Sequence, residues 1–244
     1  MISPFLVQTR RQFLQSLTFC TVAFVASGSL ADELVLTPRQ TEGPFYPDVL
    51  PKDTDNDLVL INESTTPAAG EITHLKGRVL DRTGKPVQNA VVEIWQVDGN
   101  GVYLHTRSPD QDKRDKNFQG FGRTVTGPDG EYYFRTIKPI SYAFGIRRAP
   151  HIHLIVREGD KRMLTSQLYI KGHYLNENDV VLQSIQDEAA RETVLVDFKP
   201  IKSSKTGEIE ASFDIVIGET PEDPSDDIFQ SRDGRPVDLD PTPK

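Results

Sequence analysis

The chain has 244 residues, with 36 Asp and Glu against 28 Lys and Arg, and a formal net charge of −8. That length sets a prior of one domain, and the acidic balance excludes nucleic-acid or anionic-lipid binding through bulk electrostatics. A small molecule is the expected partner.

The first segment reads as a targeting sequence. Arg10-Arg11 precede a mostly apolar run from Leu17 to Val25, and Ser29-Leu30-Ala31 places small residues where a signal peptidase reads. Residues 1–31 are therefore predicted to be a twin-arginine export signal, giving a periplasmic or secreted protein. The apolar run is too short and interrupted for a membrane span, so no membrane insertion is expected once the signal is removed. The segment holds two arginines and no acid, so its loss takes the net charge from −8 to −10. It also removes Cys20, the sole cysteine, leaving the mature chain without disulfides or thiolate ligands. Twin-arginine export carries folded proteins, which suits a cofactor inserted beforehand.

Residues 32–69 are rich in Pro and Asp with little periodicity and read as an extended arm, with an aromatic knot at Phe45-Tyr46. From 70 to 218 the pattern is short strands and turns. Strands are predicted at 72–80, 90–97, 121–126, 131–137, 151–156, 163–170, 194–198 and 208–217. Asp81-Arg82-Thr83-Gly84 and Gly127-Pro128-Asp129-Gly130 are turn signals. A helix is predicted within 179–192, where Val180, Val181, Ile185 and Ala189 recur at helical spacing. The predicted fold is all-β, an antiparallel sandwich with long loops and one short helix. Residues 219–244 read as an acidic, Pro-rich tail that packs loosely or not at all. Arm and tail are both candidates for subunit contacts in a homo-oligomer.

His151 and His153 lie two apart at the head of an apolar run, so a strand would set both imidazoles on one face. Two imidazoles on one face are half of a metal site. A half-buried strand with two polar residues is the plainer explanation of that pair alone. Two long irregular segments, 97–121 and 138–150, carry Tyr103, Tyr142 and Arg148, and loops of such length in a compact sandwich are usually functional. Two phenolates with two neutral imidazoles would favour ferric iron, since a trivalent cation promotes phenol ionisation. Taken singly, Tyr132, Tyr133 and Tyr169 read as strand or core aromatics. His74, His105, His173 and Arg147 read as surface or loop residues.

Trp95-Gln96-x6-Tyr103, Asn117-Phe118-x-Gly120-x-Gly122-Arg123, Thr136-Ile137-x-Pro139 and Arg148-x-x-His151-x-His153 together resemble the intradiol ring-cleavage dioxygenases. The protocatechuate dioxygenase β-chain type is the most similar. The resemblance runs from about Thr41 to Ile217, with Ala149-Pro150 standing where the family usually has Pro-Ala. It implies a non-haem Fe(III) centre with Tyr103 and His151 as equatorial and Tyr142 and His153 as axial ligands. It further implies that Arg148 stabilises charge on the substrate ring, that Gln167 lies near the oxygen-binding side, and that Trp95 and Tyr46 line the substrate pocket. The implied reaction cleaves a catechol-type ring between its hydroxyl-bearing carbons with O2, giving a muconate-type diacid.

Two other readings stand beside it. Gly145-x5-His151-x-His153-x4-Glu158 begins a cupin metal motif, but Thr165 stands where that motif needs a later glycine, and Glu158-Gly159-Asp160 reads as a turn. The strands and Asp-Gly turns also resemble non-catalytic prealbumin-like binding modules, which have no need of Tyr103, Tyr142, Arg148, His151 and His153 together.

Overall fold

The structure is a computed structural model and describes residues 33–62 and 64–218. The predicted export signal and the predicted acidic tail lie outside the described residues. No helix among the described residues is long and apolar enough to cross a membrane.

Two sheets pack face to face. The first is built on its longest strand, β1 (Ile72–Asp81), which pairs with β4 (Glu131–Ile137), β11 (Ile209–Ser212) and β12 (Ile215–Ile217), with β10 (Phe198–Pro200) beside β11. The second runs β3 (Phe121–Val125), β2 (Val91–Trp95), β7 (His151–Glu158), β8 (Lys161–Ile170) and β9 (Leu195–Val196). Leu75, Val79 and Phe134 meet Val92, Ile94, Ile152, Leu154 and Leu168 in the core between them. The β-sandwich is as expected, but its pairing is mixed: β1 runs parallel to β11 and β12, and β8 parallel to β9.

Three elements differ from the sequence reading. The predicted 208–217 strand is broken at Phe213-Asp214, where the chain crosses close over β1. A Cβ on Gly77 would lie 1.9 Å from the Phe213 carbonyl oxygen, so only glycine permits the crossing, and Tyr132 secures it by donating to that oxygen at 2.6 Å. The 194–198 strand likewise divides into β9 and β10, which belong to different sheets. The single helix resolves into α1 (Val180–Gln183) and α2 (Glu188–Thr193), each capped by its own aspartate, Asp179 and Asp187. The local capping signals outweigh the helical spacing that runs across the gap.

The arm is ordered by the strands it crosses. Thr37 donates its N–H to Val216 on β12 at 3.0 Å, and Gln40 donates to Thr165 on β8 at 2.9 Å. It thereby bridges the two sheets along the edge of β8 that short β9 leaves open. Further on, Asp57 pairs with Arg135 of β4 and Leu58 is fully buried.

Candidate metal and ring-cleavage site

Strand alternation sends Val92, Ile94, Ile152 and Leu154 into the core and Trp95, His151, His153 and Gln167 to the opposite face of the second sheet. That outer face is not solvated. A second apolar cluster of Phe45, Trp95, Val97, Tyr103, Phe121 and Ile155 covers it. Both imidazoles are consequently buried, each 2% exposed.

Loops bring the other side chains. After β2 the chain turns at Asp98, whose carboxylate accepts from the N–H groups of Asn100 at 2.8 Å, Val102 at 3.0 Å and Asp115 at 2.6 Å. One buried aspartate thus folds both ends of the long 97–121 loop and aims Tyr103 inward. The second irregular segment contains a hairpin the sequence reading did not resolve, β5 (Tyr142–Phe144) with β6 (Ile146–Arg148), turning at Gly145 with φ 67°. In it Tyr142 stands directly opposite Arg148.

Tyr103 Oη lies 3.2 Å from His151 Nε2 and 3.0 Å from His153 Nε2, and the two Nε2 atoms are 3.1 Å apart. A triangle of those edges has a point about 2 Å from all three corners, the bond length of a first-row metal to nitrogen or oxygen. Tyr142 completes the group, its ring perpendicular to Tyr103 with centroids 5.1 Å apart and 5.6 Å from His151. His151 Nδ1 is 2.6 Å from the Ala149 carbonyl, which can only accept. The proton is therefore on Nδ1, and Nε2 presents a bare lone pair to the triangle. His153 Nδ1 is buried without a partner among the described residues, so either tautomer of that ring leaves a polar atom unmet.

Burial pushes both histidines well below the usual imidazole range, the neighbouring Arg148 charge adding to it; for His153, contact with His151 contributes as well. Burial raises the Tyr103 and Tyr142 phenols, with Arg148 pulling the other way. The cluster is thus neutral imidazole and protonated phenol with no counter-ion, and it fits a cation that draws the phenolic protons away. Among the described residues no group of three or more His, Cys, Asp or Glu could hold a metal, so a tyrosine–histidine set is the donor set available.

Arg148, 3% exposed, donates from Nε to Asp179 Oδ2 at 2.9 Å and from Nη2 to Gln167 Oε1 at 2.8 Å. Burial works against its charge, but Tyr169, Tyr142 and Asp179 more than offset this and raise its pKa. Gln167 sits across from His153 in the β7–β8 register and donates to the Thr41 carbonyl at 2.9 Å. Trp95, fully buried, stacks on the His153 ring at 4.7 Å and 11°. Tyr46 meets Trp95 edge-on at 5.1 Å and donates to Glu93 at 3.2 Å. The structure brings all eight predicted site residues into one region, with Trp95 and Tyr46 on the His153 side.

Sequence reasoning missed Asp179, Gln40 and Phe45. Phe45 stacks on Tyr103 at 5.0 Å. Tyr169 is buried as expected, but its hydroxyl lies 2.8 Å from Gln40 Oε1 and 2.9 Å from Gln167 Oε1, so it belongs to the network behind Arg148. Glu158, which the cupin reading needed, is exposed at the β7–β8 turn and pairs with Lys161 in the ladder. His74 bonds Tyr133 and Glu208 away from the triangle.

A family model described as Dioxygenase matches residues 41–219. This chain belongs to the intradiol ring-cleavage dioxygenase family. It is 36% identical over 169 residues to the protocatechuate 3,4-dioxygenase beta chain of Burkholderia cepacia, covering 67% of this chain and 71% of that one. It is 32% identical to catechol 1,2-dioxygenase 1 of Acinetobacter lwoffii over 56% of its own length, and the match spans about half (47%) of that relative. Among solved structures, the dioxygenase domain of a dioxygenase–carbohydrate-binding fusion from Streptomyces sp. SirexAA-E superposes with a TM-score of 0.55 at 28% identity. The match covers 75% of this chain and 98% of that domain. The sandwich that carries the triangle is therefore an intradiol dioxygenase fold.

Proposed function

We propose that this dioxygenase cleaves a catechol-type ring between its two hydroxyl-bearing carbons with O2, using ferric iron held by Tyr103, Tyr142, His151 and His153. The observation that carries the reading is the convergence of Tyr103 Oη, His151 Nε2 and His153 Nε2 within 3.2 Å of one another. Ferric iron bound there supplies Lewis acidity and a template for two adjacent phenolic oxygens. The two imidazoles act as neutral donors fixed by burial. Tyr142, partly exposed on a short hairpin, would be a ligand of that iron, and its Oη would be the base placed to take a catechol proton. Arg148 sets a fixed cation beside the ring, where negative charge builds as the catechol ionises, in a site dry enough for that charge to act strongly. Phe45, packed on Tyr103, and the apolar cover exclude water. Trp95 and Tyr46 hold the His153 side of the site and bound the pocket.

The test is the visible spectrum of the purified chain loaded with ferric iron, then mixed with catechol without oxygen, then exposed to O2. Phenolate-to-iron charge transfer should give a broad visible band that moves to longer wavelength with catechol. Oxygen should then be consumed one molecule per ring with release of a diacid. A chain that stays colourless after loading overturns the reading.

Export is part of the proposal. A mature chain beginning at Asp32 in the periplasm, and its loss when Arg10 and Arg11 become lysine, would support it. Cytoplasmic retention of the native sequence would refute it. A homo-oligomer is the proposed assembly, read by light scattering.

A further inference from the structure

Asp179 is the most heavily bonded side chain near the site, and nothing in the sequence motifs points to it. It is fully buried. Its Oδ2 accepts from Arg148 Nε at 2.9 Å and from the Ala149 N–H at 2.8 Å. Its Oδ1 accepts from the Val181 and Leu182 N–H groups at 3.1 and 3.0 Å and from Arg148 Nη2 at 3.3 Å. Five donors on one carboxylate fill its lone pairs, since two oxygens offer about four good acceptor positions.

This saturation has a geometric consequence for Arg148. A guanidinium has five N–H bonds in a rigid plane. The Nε–Nη2 edge is taken by Asp179, and Nη2 is additionally engaged by Gln167 and Tyr169. Among the described residues, the hydrogen bonds that fix the head fall on Nε and Nη2, and the head also reaches Tyr142, whose phenol pKa it lowers by charge and hydrogen bonding. With one edge clamped and the plane fixed, the Nη1 edge is the part of Arg148 that the clamp leaves for Tyr142 and a ligand to share. The clamp is rigid because Asp179 is itself held from both sides, by the first turn of α1 and by the Ala149 N–H two residues before His151. A long flexible cation is thereby held as a fixed charge beside Tyr142, its partner in the hairpin.

We infer that Asp179 is a positioning residue for ring cleavage: it clamps the Nε–Nη2 edge of Arg148 and so presents the Nη1 edge to the charge that develops on the bound ring. The inference rests on the proposed function for its catalytic consequence, and on geometry alone for the clamp.

The clamp is separable from helix capping, because Asn caps a helix about as well as Asp but lacks the charge and the second acceptor oxygen that hold Arg148. Asp179→Asn should therefore keep the fold and keep the visible band on ferric loading. It should lower kcat by about a hundredfold, the scale of losing one preorganised stabilising group, with little change in KM. In the Arg148→Ala background, Asp179→Asn should lower kcat no further, because the group it positions is gone. An activity-independent readout accompanies these. The buried Arg148 Nε–H should give a slowly exchanging resonance in the full chain loaded with diamagnetic Ga(III), absent in Arg148→Ala and exchanging much faster in Asp179→Asn. If Asp179→Asn leaves the exchange slow, the clamp is refuted whether or not the chain cleaves rings. If exchange quickens but the kcat losses of the two substitutions multiply, the positioning role is refuted. If the native chain turns over no catechol while the exchange result holds, the proposed function fails and the clamp stands.

Discussion

Gln40 lies in the arm, yet it is 5% exposed and ties that arm to the strand behind the site. Its amide donates to the Gln167 carbonyl at 2.7 Å and lies 3.0 Å from Ser166 Oγ, while its oxygen accepts from the Tyr169 hydroxyl at 2.8 Å. Gln40→Ala removes three hydrogen bonds, each worth about 1 kcal/mol net. Part of this returns. Tyr169 has one proton and a second acceptor, Gln167 Oε1, at 2.9 Å, and Ser166 keeps its bond to the Pro38 carbonyl at 2.7 Å. The net loss from hydrogen bonding is about 2 kcal/mol, and the void left by the side chain brings it to roughly 3 kcal/mol. Urea unfolding should show this as a lower midpoint with an unchanged slope. The same change should lower kcat, because the Tyr169 proton now competes with Arg148 for Gln167. A midpoint shift worth less than about 1 kcal/mol would show that the arm is not fastened through Gln40 and would refute the argument.

Other perturbations reach different parts of the molecule. Gly77→Ala places a methyl 1.9 Å from the Phe213 carbonyl oxygen and 2.6 Å from its carbon. Backbone cannot give way as a side chain can, so a loss of at least about 3 kcal/mol is expected, read by soluble yield and urea midpoint. Trp95→Leu removes the ring stacked on His153 at 4.7 Å, and ferric affinity, measured by competition with a chelator, should fall roughly tenfold. Ferric iron at a hundred times its Kd should stabilise the native chain by about 2.7 kcal/mol. That gain, followed as a rise in Tm, should largely vanish in Tyr103→Phe.

The β-sandwich was legible because short apolar runs alternate with Gly and Asp turns, and the two-residue period of a strand set His151 and His153 side by side. Tyr103, Tyr142 and Arg148 were legible only through loop length and motif spacing, since nothing local to a loop says where its side chains end. The breaks were not legible. Phe213-Asp214 interrupts an apolar–polar alternation that reads as one strand, and the cause is a close approach to Gly77, far away in sequence. The parallel pairs of β1 with β11 and β12 depend on that same remote crossing. Asp179 and Gln40 were hidden for a related reason. An aspartate ahead of Val180-Val181-Leu182 reads as a helix cap, which it is, and a glutamine in a polar arm reads as solvated. Their importance comes from partners 31 and 126 or more residues distant, a property that composition and periodicity do not encode.

The energetic character of the site also separates the catalytic reading from the binding-module reading. A sandwich that only binds through its surface gains by filling the outer face of its second sheet with apolar side chains. This chain instead buries Tyr103, His151, His153, Arg148, Gln167, Tyr169 and Asp179 there. Two imidazole nitrogens face each other at 3.1 Å, and His153 Nδ1 has no partner among the described residues. Burying polar groups costs stability unless every one is paired, and replacing such groups with apolar residues is often neutral or stabilising. The pairing here is complete at Asp179 and along the Nε–Nη2 edge of Arg148, and incomplete at the triangle. The positioning half of the site is therefore finished by the protein itself, whereas the tyrosine–histidine half is left with its lone pairs converging on a single point, the arrangement that a cation would complete.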